Sequence, residues 1–334
     1  MTKFHNTHIY QSSSQGETTM KNLPFLTTIA LASVLLSASP AISQDPENMV
    51  LVSRGEFTMG SKEHKDEHPH NVVLDAYYID KFEVSNKDYK AFMKATGHSA
   101  PAYWDDPRLS KPEQPVVGVN WYDARAFCEW KGKRLPTEAE WERAAKGPDG
   151  HGHYPWGHKL DETKANYGQK VGMTTAVDSY PSGVSGYGAY NMSGNVFEWV
   201  TDWYDPSYFN TSPALNPQGP ATGLNFANQG PVKVLKGGSW LAPSSSLHTS
   251  HRFWNQPENN SYGVGLGFRC AQPASPASIR VTQYDFMHAL ISMGDEKWAE
   301  ALESIDRALK GDPENAEYMD TKSLIMNQIN KGNK

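Results

Sequence analysis

The stretch Gly186-Tyr187-Gly188-Ala189-Tyr190-Asn191-Met192-Ser193-Gly194-Asn195-Val196-Phe197-Glu198-Trp199-Val200-Thr201-Asp202-Trp203-Tyr204 decides the fold. Gly186, Gly188 and Gly194 permit backbone shapes or close approaches that a Cβ would hinder. Tyr190, Phe197, Trp199 and Trp203 carry enough area to dominate a core. Asn191 and Glu198 place side-chain oxygens among them, and in an extended segment the carbonyls of Gly194 and Val196 leave the chain on one edge. A hard cation such as calcium takes several oxygens of that kind. The same residues also read as a turn asparagine and a hydrogen-bonded acid beside a tryptophan, because a single acid is a sparse calcium signature.

Around this stretch lie 334 residues, 38% hydrophobic and 20% charged, with 10 Trp and 16 Tyr, which describes a globular chain with an aromatic interior. The formal charge is -6 and no long basic run is present, so nucleic acid is not an expected partner. Met20-Lys21-Asn22, the apolar run Leu23 to Leu36 and the small residues up to Ser43 predict a signal peptide over 20–43, with 1–19 as an upstream extension. The apolar run is short for a membrane span, so none is expected after cleavage, and the chain should be periplasmic or secreted. In such a compartment Cys128 and Cys270 pair more readily as one structural disulfide than they persist as thiols. Closing so long a loop stabilises the fold by roughly 4 to 5 kcal/mol in the chain-entropy model. A redox-active pair is the competing reading.

Along the chain, Met49 to Ser53 and Gly55 to Gly60 read as two short strands. The loop Ser61 to Asn71 carries His64, His68 and His70, and reads as a solvated loop more readily than as a zinc site, because no cysteine or paired-histidine pattern accompanies it. Val72 to Val84 is strand-rich. Ser85 caps a helix ending before Gly97, Asn120 caps a second over Trp121 to Trp130, and Thr137 with Glu140 forms a capping box for a third that stops at Gly147. Residues 148–185 and 205–229 are rich in turn residues. Val232 to Trp240 reads as a strand ending in a glycine pair, and Gly263 to Ala271 as the last strand. After a linker at 272–280 the pattern changes, and 281–331 shows helical periodicity at Tyr284 to Met293, Lys297 to Lys310 and Glu314 to Asn330. Part of that tail resembles one tetratricopeptide repeat, a unit that needs a neighbour to cover its apolar face.

With Gly55-Glu-Phe-Thr-Met-Gly60, Gly132-Lys-Arg-Leu-Pro-Thr-Glu-Ala-Glu-Trp-Glu142, Tyr154-Pro-Trp-Gly157, Asn191-Met-Ser-Gly-Asn-Val-Phe-Glu-Trp199, Lys236-Gly-Gly-Ser-Trp240 and Gly267-Phe-Arg-Cys270 in order, residues 49–271 strongly resemble the formylglycine-generating enzymes, the sulfatase-modifying factors. The resemblance implies an α+β domain with little regular secondary structure, a variant of the C-type-lectin-like fold. It implies calcium as a structural cofactor on Asn191, Gly194, Val196 and Glu198, and a disulfide between Cys128 and Cys270. A second family calcium site would use Asn166 and Tyr167, but its acid has no match here.

The catalytic inheritance departs from the family. Its oxidising members hold copper on two cysteines shortly after the Gly-Gly-Ser motif, whereas residues 239–251 here contain none. Serine hydroxyls do not replace thiolates for monovalent copper, so copper is not expected. Trp240, His248, His251 and Arg252 are the pocket candidates in that region. His248 and His251 read as groove-lining hydrogen bonders more readily than as a metal pair, lacking a third ligand. The expected role is an accessory or binding protein for a protein or peptide client. The alternative is a periplasmic oxidase or maturation enzyme of altered chemistry, similar to the family member that matures pyoverdine.

Overall fold

A computed structural model describes residues 46–332 except 151, 226–227, 229, 261–264, 275–284, 287, 291, 294–295 and 312–315. The expected upstream extension and signal peptide, and most of the expected linker, lie outside the described residues. Alternation shapes the first strands. In β2 (Gly55–Met59), Phe57 and Met59 are buried while Glu56 is exposed, and the strand pairs antiparallel with β3 (His70–Leu74). β1 (Met49–Val52) pairs with β4 (Tyr77–Asp80), which also pairs with β9 (Ala271–Pro273), making a three-stranded antiparallel sheet.

The quoted stretch supplies the central strand, β5 (Phe197–Trp203). It lies between β6 (Lys233–Lys236), antiparallel, and the two-residue β8 (Leu266–Gly267), parallel. β7 (Phe253–Asn255) completes a four-stranded sheet on the far side of β6. Neighbouring residues of one strand point to opposite faces, and here both faces are covered. Val200 and Val234 enter one apolar cluster with Trp141, Phe57 and Ile79, whereas Trp199 and Leu235 enter another with Tyr89, Phe127 and Phe268.

The covering helices are α1 (Asn86–Thr96) and α2 (Trp121–Trp130) on the second side and α3 (Glu138–Lys146) on the first. Each starts where its cap predicts. The side chains of Ser85, Asn120 and Thr137 accept from the backbone N–H three residues on, and the last two form full capping boxes with Asp123 and Glu140. Gly97 closes α1 in the left-handed region at φ 74°. Gly194 sits at φ 88°, and a Cβ there would stand 2.4 Å from Asn166 O, so the close approach read from the sequence is real.

Val72 to Val84, read as strand-rich, holds two strands, β3 stopping at Leu74 and β4 running from Tyr77 to Asp80. The structure departs from the sequence reading in two places. Gly263 to Ala271 is not one strand: β8 and β9 belong to different sheets, and Arg269 between them turns into the core. Most unexpected is α3, in which every residue is buried, including Glu138, Glu140, Glu142, Arg143 and Lys146. Cys128 and Cys270 form the disulfide, Cα atoms 5.6 Å apart, fastening α2 to the segment between β8 and β9.

Beyond β9, residues 285–286, 288–290 and 292–293 are helical, followed by α4 (Trp298–Gly311) and α5 (Ala316–Gly332). Ala289, Ala301, Ile305, Ala308, Tyr318 and Ile325 form an apolar cluster of their own there. No helix among the described residues is long and apolar enough to cross a membrane.

Candidate functional site

Two polar regions meet around α3, one sealed in the core and one opening to a cleft. In the sealed region Arg269 donates to both oxygens of Glu198, Nε to Oε2 at 2.6 Å and Nη2 to Oε1 at 2.7 Å, while Trp141 Nε1 donates to Oε2 at 2.8 Å. Arg269 also donates to Asp80 O and Tyr190 O. Beside this pair Glu83 accepts from Asn191 at 2.8 Å and from Asn195 at 3.1 and 3.2 Å. Burial, reinforced by the charge of Glu198 and opposed by Arg269 and the two amides, pushes the Glu83 carboxyl up to about 8.

Of the expected calcium ligands, Asn191 and Glu198 are already engaged by other side chains. Of the roughly four acceptor positions on a carboxylate, the donors from Arg269 and Trp141 take three on Glu198, leaving one on Oε1. Asn191 spends its amide nitrogen on Glu83 and Val177 O, which leaves Oδ1 as its ligand atom. With the carbonyls of Gly194 and Val196 the expected set is all oxygen, the donor type a hard cation takes, and such an ion would share Glu198 with Arg269. Near the second expected site, Asn166 Oδ1 is buried without a hydrogen-bond partner, while Tyr167 donates to Glu162 at 3.3 Å.

The cleft is a cavity of about 270 Å³ whose walls include Gly60, Ser61, Glu63, Lys146, His153 and His248. Lys146 forms part of its floor and donates to Thr58 O and Gly60 O. Beneath it Glu142 pairs with Lys146 at 2.8 Å and Lys236 at 3.1 Å and accepts from Gly60 N. Burial works to raise the Glu142 carboxyl, but Lys146 and Lys236 outweigh it and hold it at about 2. On the wall, His248 Nε2 lies 3.2 Å from Tyr154 Oη, and Tyr154 stacks on Trp156. Burial, then the neighbouring His153, moves the His248 pKa down, favouring the neutral ring. Thr249 ties this wall together, its N–H donating to His153 O and its hydroxyl to Gly152 O.

The four pocket candidates separate. His248 lines the cavity, with Ser250. His251 turns toward Glu67, Nδ1 to Oε1 3.6 Å, and its ring stands 5.3 Å from that of His64. Arg252 is not in the lining: it is buried, donates from Nε and Nη2 to Glu138, and reaches Asp66 O and Asp205 O. Trp240 packs away from these residues in a cluster with Leu109, Val117 and Val196. In both cases adjacency in sequence failed because neighbouring residues leave the backbone in different directions. Glu83, Lys146 and Glu67 were missed for a related reason: Glu83 meets Asn191 across 108 positions, Lys146 reaches the carbonyls of Thr58 and Gly60 across 88 and 86 as well as Glu142 on its own helix, and Glu67 lies in a loop read as solvated. The charges inside α3 were the signal that could have found Lys146.

Residues 36–274 match the family described as Sulfatase-modifying factor enzyme 1-like domain. The serine/threonine-protein kinase pkn1 of Chlamydia pneumoniae is 38% identical over 247 residues, 67% of this chain, and the chain spans 38% of that relative's length. The formylglycine-generating enzyme of Streptomyces coelicolor is 33% identical over 316 residues, covering 75% of this chain and 98% of the enzyme. Among solved structures, PvdO from Pseudomonas aeruginosa superposes with a TM-score of 0.58 at 26% identity, covering 70% of this chain and 98% of that one.

Two outcomes follow from the sealed region. Glu198→Gln leaves Arg269 buried without its counter-charge and should cost about 3 to 5 kcal/mol in urea unfolding; a loss inside measurement error would mean the pair is not buried in solution. Glu83 keeps its proton to about 8 in the fold but releases it near its ordinary 4.5 when unfolded. Between those values the unfolded chain binds fewer protons, so this group makes stability fall as pH rises. Denaturation from pH 5 to 8 should show the decline, and Glu83→Gln should flatten it; an equal slope in the variant would contradict the assignment.

Proposed function

Because the chain belongs to the sulfatase-modifying factor family, we propose that it is an accessory or binding protein that holds a segment of a protein client in its histidine-lined cleft, without copper-thiolate oxidation. The observation that carries this reading is the state of the sulfur. The chain has 2 cysteines, and they are bonded to each other as Cys128 and Cys270. The segment after Gly238 that would present thiolates presents Ser250 and His248 to the cavity instead. Hydroxyl and imidazole groups donate and accept hydrogen bonds, and a cleft lined by His153, His248, Thr58, Ser61 and Ser250 suits a peptide main chain. The leader-like residues 20–43 put the client in the periplasm or outside the cell.

A second reading, a maturation enzyme of altered chemistry, is favoured by one observation. His153 and His248 stand with ring centroids 5.5 Å apart at the cavity wall, a pair able to move protons. The likeness to PvdO is compatible with this reading and does not choose between the two.

In either case Asn191, Gly194, Val196 and Glu198 would hold a calcium ion as structural support. Melting the full chain in calcium and in chelator tests this: calcium should raise Tm through selective binding to the folded state, and Asn191→Ala should remove the increment. Equal melting temperatures would strike calcium from the reading. The role itself is tested with a Cys-x-Pro-x-Arg peptide, copper and oxygen, followed by mass spectrometry, and by capture of periplasmic proteins on the immobilised chain. Unchanged peptide and a specific client displaced by His248→Ala are expected. An aldehyde product, or no client, would refute the binding role.

A further inference from the structure

We propose that His64, Glu67 and His251 form a site for a divalent transition-metal ion of the zinc class, at the edge of the cleft and independent of the client-binding reading. These residues come from two distant segments, the loop between β2 and β3 and the turn before β7, so neither segment shows the site alone. One ligand atom from each lies within 4.8 Å of the others. The gap from His251 Nδ1 to Glu67 Oε1 is 3.6 Å, too long for a hydrogen bond. It is the separation of two ligands on one ion, since tetrahedral bonds of about 2.1 Å place their ligand atoms roughly 3.4 Å apart.

The unfilled valence is visible in the fold. His251 Nδ1 is buried and has no hydrogen-bond partner, a costly state for an imidazole nitrogen unless something else occupies it. Glu67 is 1% exposed. Its Oε2 accepts from Ser61 Oγ at 2.5 Å, which orients Oε1 toward His251. A carboxylate ligand held by such an outer hydrogen bond is the usual arrangement in metal sites. His64 is exposed, so a side-chain rotation brings its ring the remaining distance without moving the core.

The loop is built to hold this shape. Ser61 N donates to Glu67 O at 2.7 Å and Glu67 N to His64 O at 3.2 Å. Gly60 enters the loop at φ 87°, where a Cβ would stand 2.5 Å from Glu67 O, so only glycine lets the loop fold back this tightly. Two imidazoles and one carboxylate are borderline nitrogen and oxygen ligands suited to zinc or iron(II), and three protein ligands leave a further position for water or a bound molecule. Ser61 and Glu63 on one flank and His248 and Ser250 on the other line the cavity, which places that position beside the cleft.

The test uses the full chain, stripped with chelator and titrated with zinc(II) by calorimetry, then with cobalt(II) followed by its visible absorption. One zinc per chain is expected, with a cobalt spectrum of low coordination number. Ser61→Ala should weaken binding by about tenfold, and His64→Ala and His251→Gln by more than that. His64→Ala changes an exposed residue and keeps the fold intact for the comparison, while His158→Ala, which removes a ring 5.6 Å from that of His153 and outside the proposed ligand set, should bind as the parent does. Absence of zinc binding, or affinity unchanged by His64→Ala combined with His251→Gln, would overturn the site. So would affinity that His153→Ala reduces and His64→Ala does not.

Discussion

Arg269 and Glu198 meet in direct contact in the core, both fully buried, and the rest of the domain is arranged to make that tolerable. Taking two charges out of water costs several kcal/mol each, and attraction between them offsets this only when the remaining donors and acceptors are also satisfied. Here the guanidinium reaches Asp80 O and Tyr190 O in addition to the carboxylate, and the carboxylate accepts from Trp141 as well. The pair thereby joins the central strand, the end of β4, the turn before Asn191 and helix α3. Cys270 follows Arg269 directly, so the disulfide to α2 fastens the segment that carries the guanidinium.

A second set of charges explains how α3 can be buried on every side. Glu138 pairs with Arg252, Glu142 with Lys146 and Lys236, and Glu140 with Arg134, so each acid on the helix has a cation. Arg143 and Lys146 reach carbonyls of Ser53, Glu56, Thr58 and Gly60. The helix thus ties the β2 hairpin to the main sheet by polar bonds where apolar packing alone would serve most helices. Those bonds also form the cleft's floor.

This construction separates support from chemistry. The floor and the sealed pair are made by α3, β5, β6 and Arg269, while the wall residues His248 and Ser250 lie in the irregular segment between β6 and β7. The same segment also supplies Arg252, whose guanidinium anchors it to Glu138 in the charge network beneath.

Local interactions were legible in the sequence because a few adjacent residues create them. The caps at Ser85, Asn120 and Thr137 and the strand alternation in β2 each depend on neighbours within a few positions. The cysteine pairing was legible because the chain offers one partner for each cysteine. Contacts between distant segments were not: Glu67 meets His251 across 184 positions and Arg252 meets Glu138 across 114. Whether His251 and Arg252, adjacent in the chain, face a cleft or a buried acid depends on which distant carboxylate the fold delivers beside each. That delivery is set by the packing of strands and loops around α3, a property of the whole chain that no local pattern encodes.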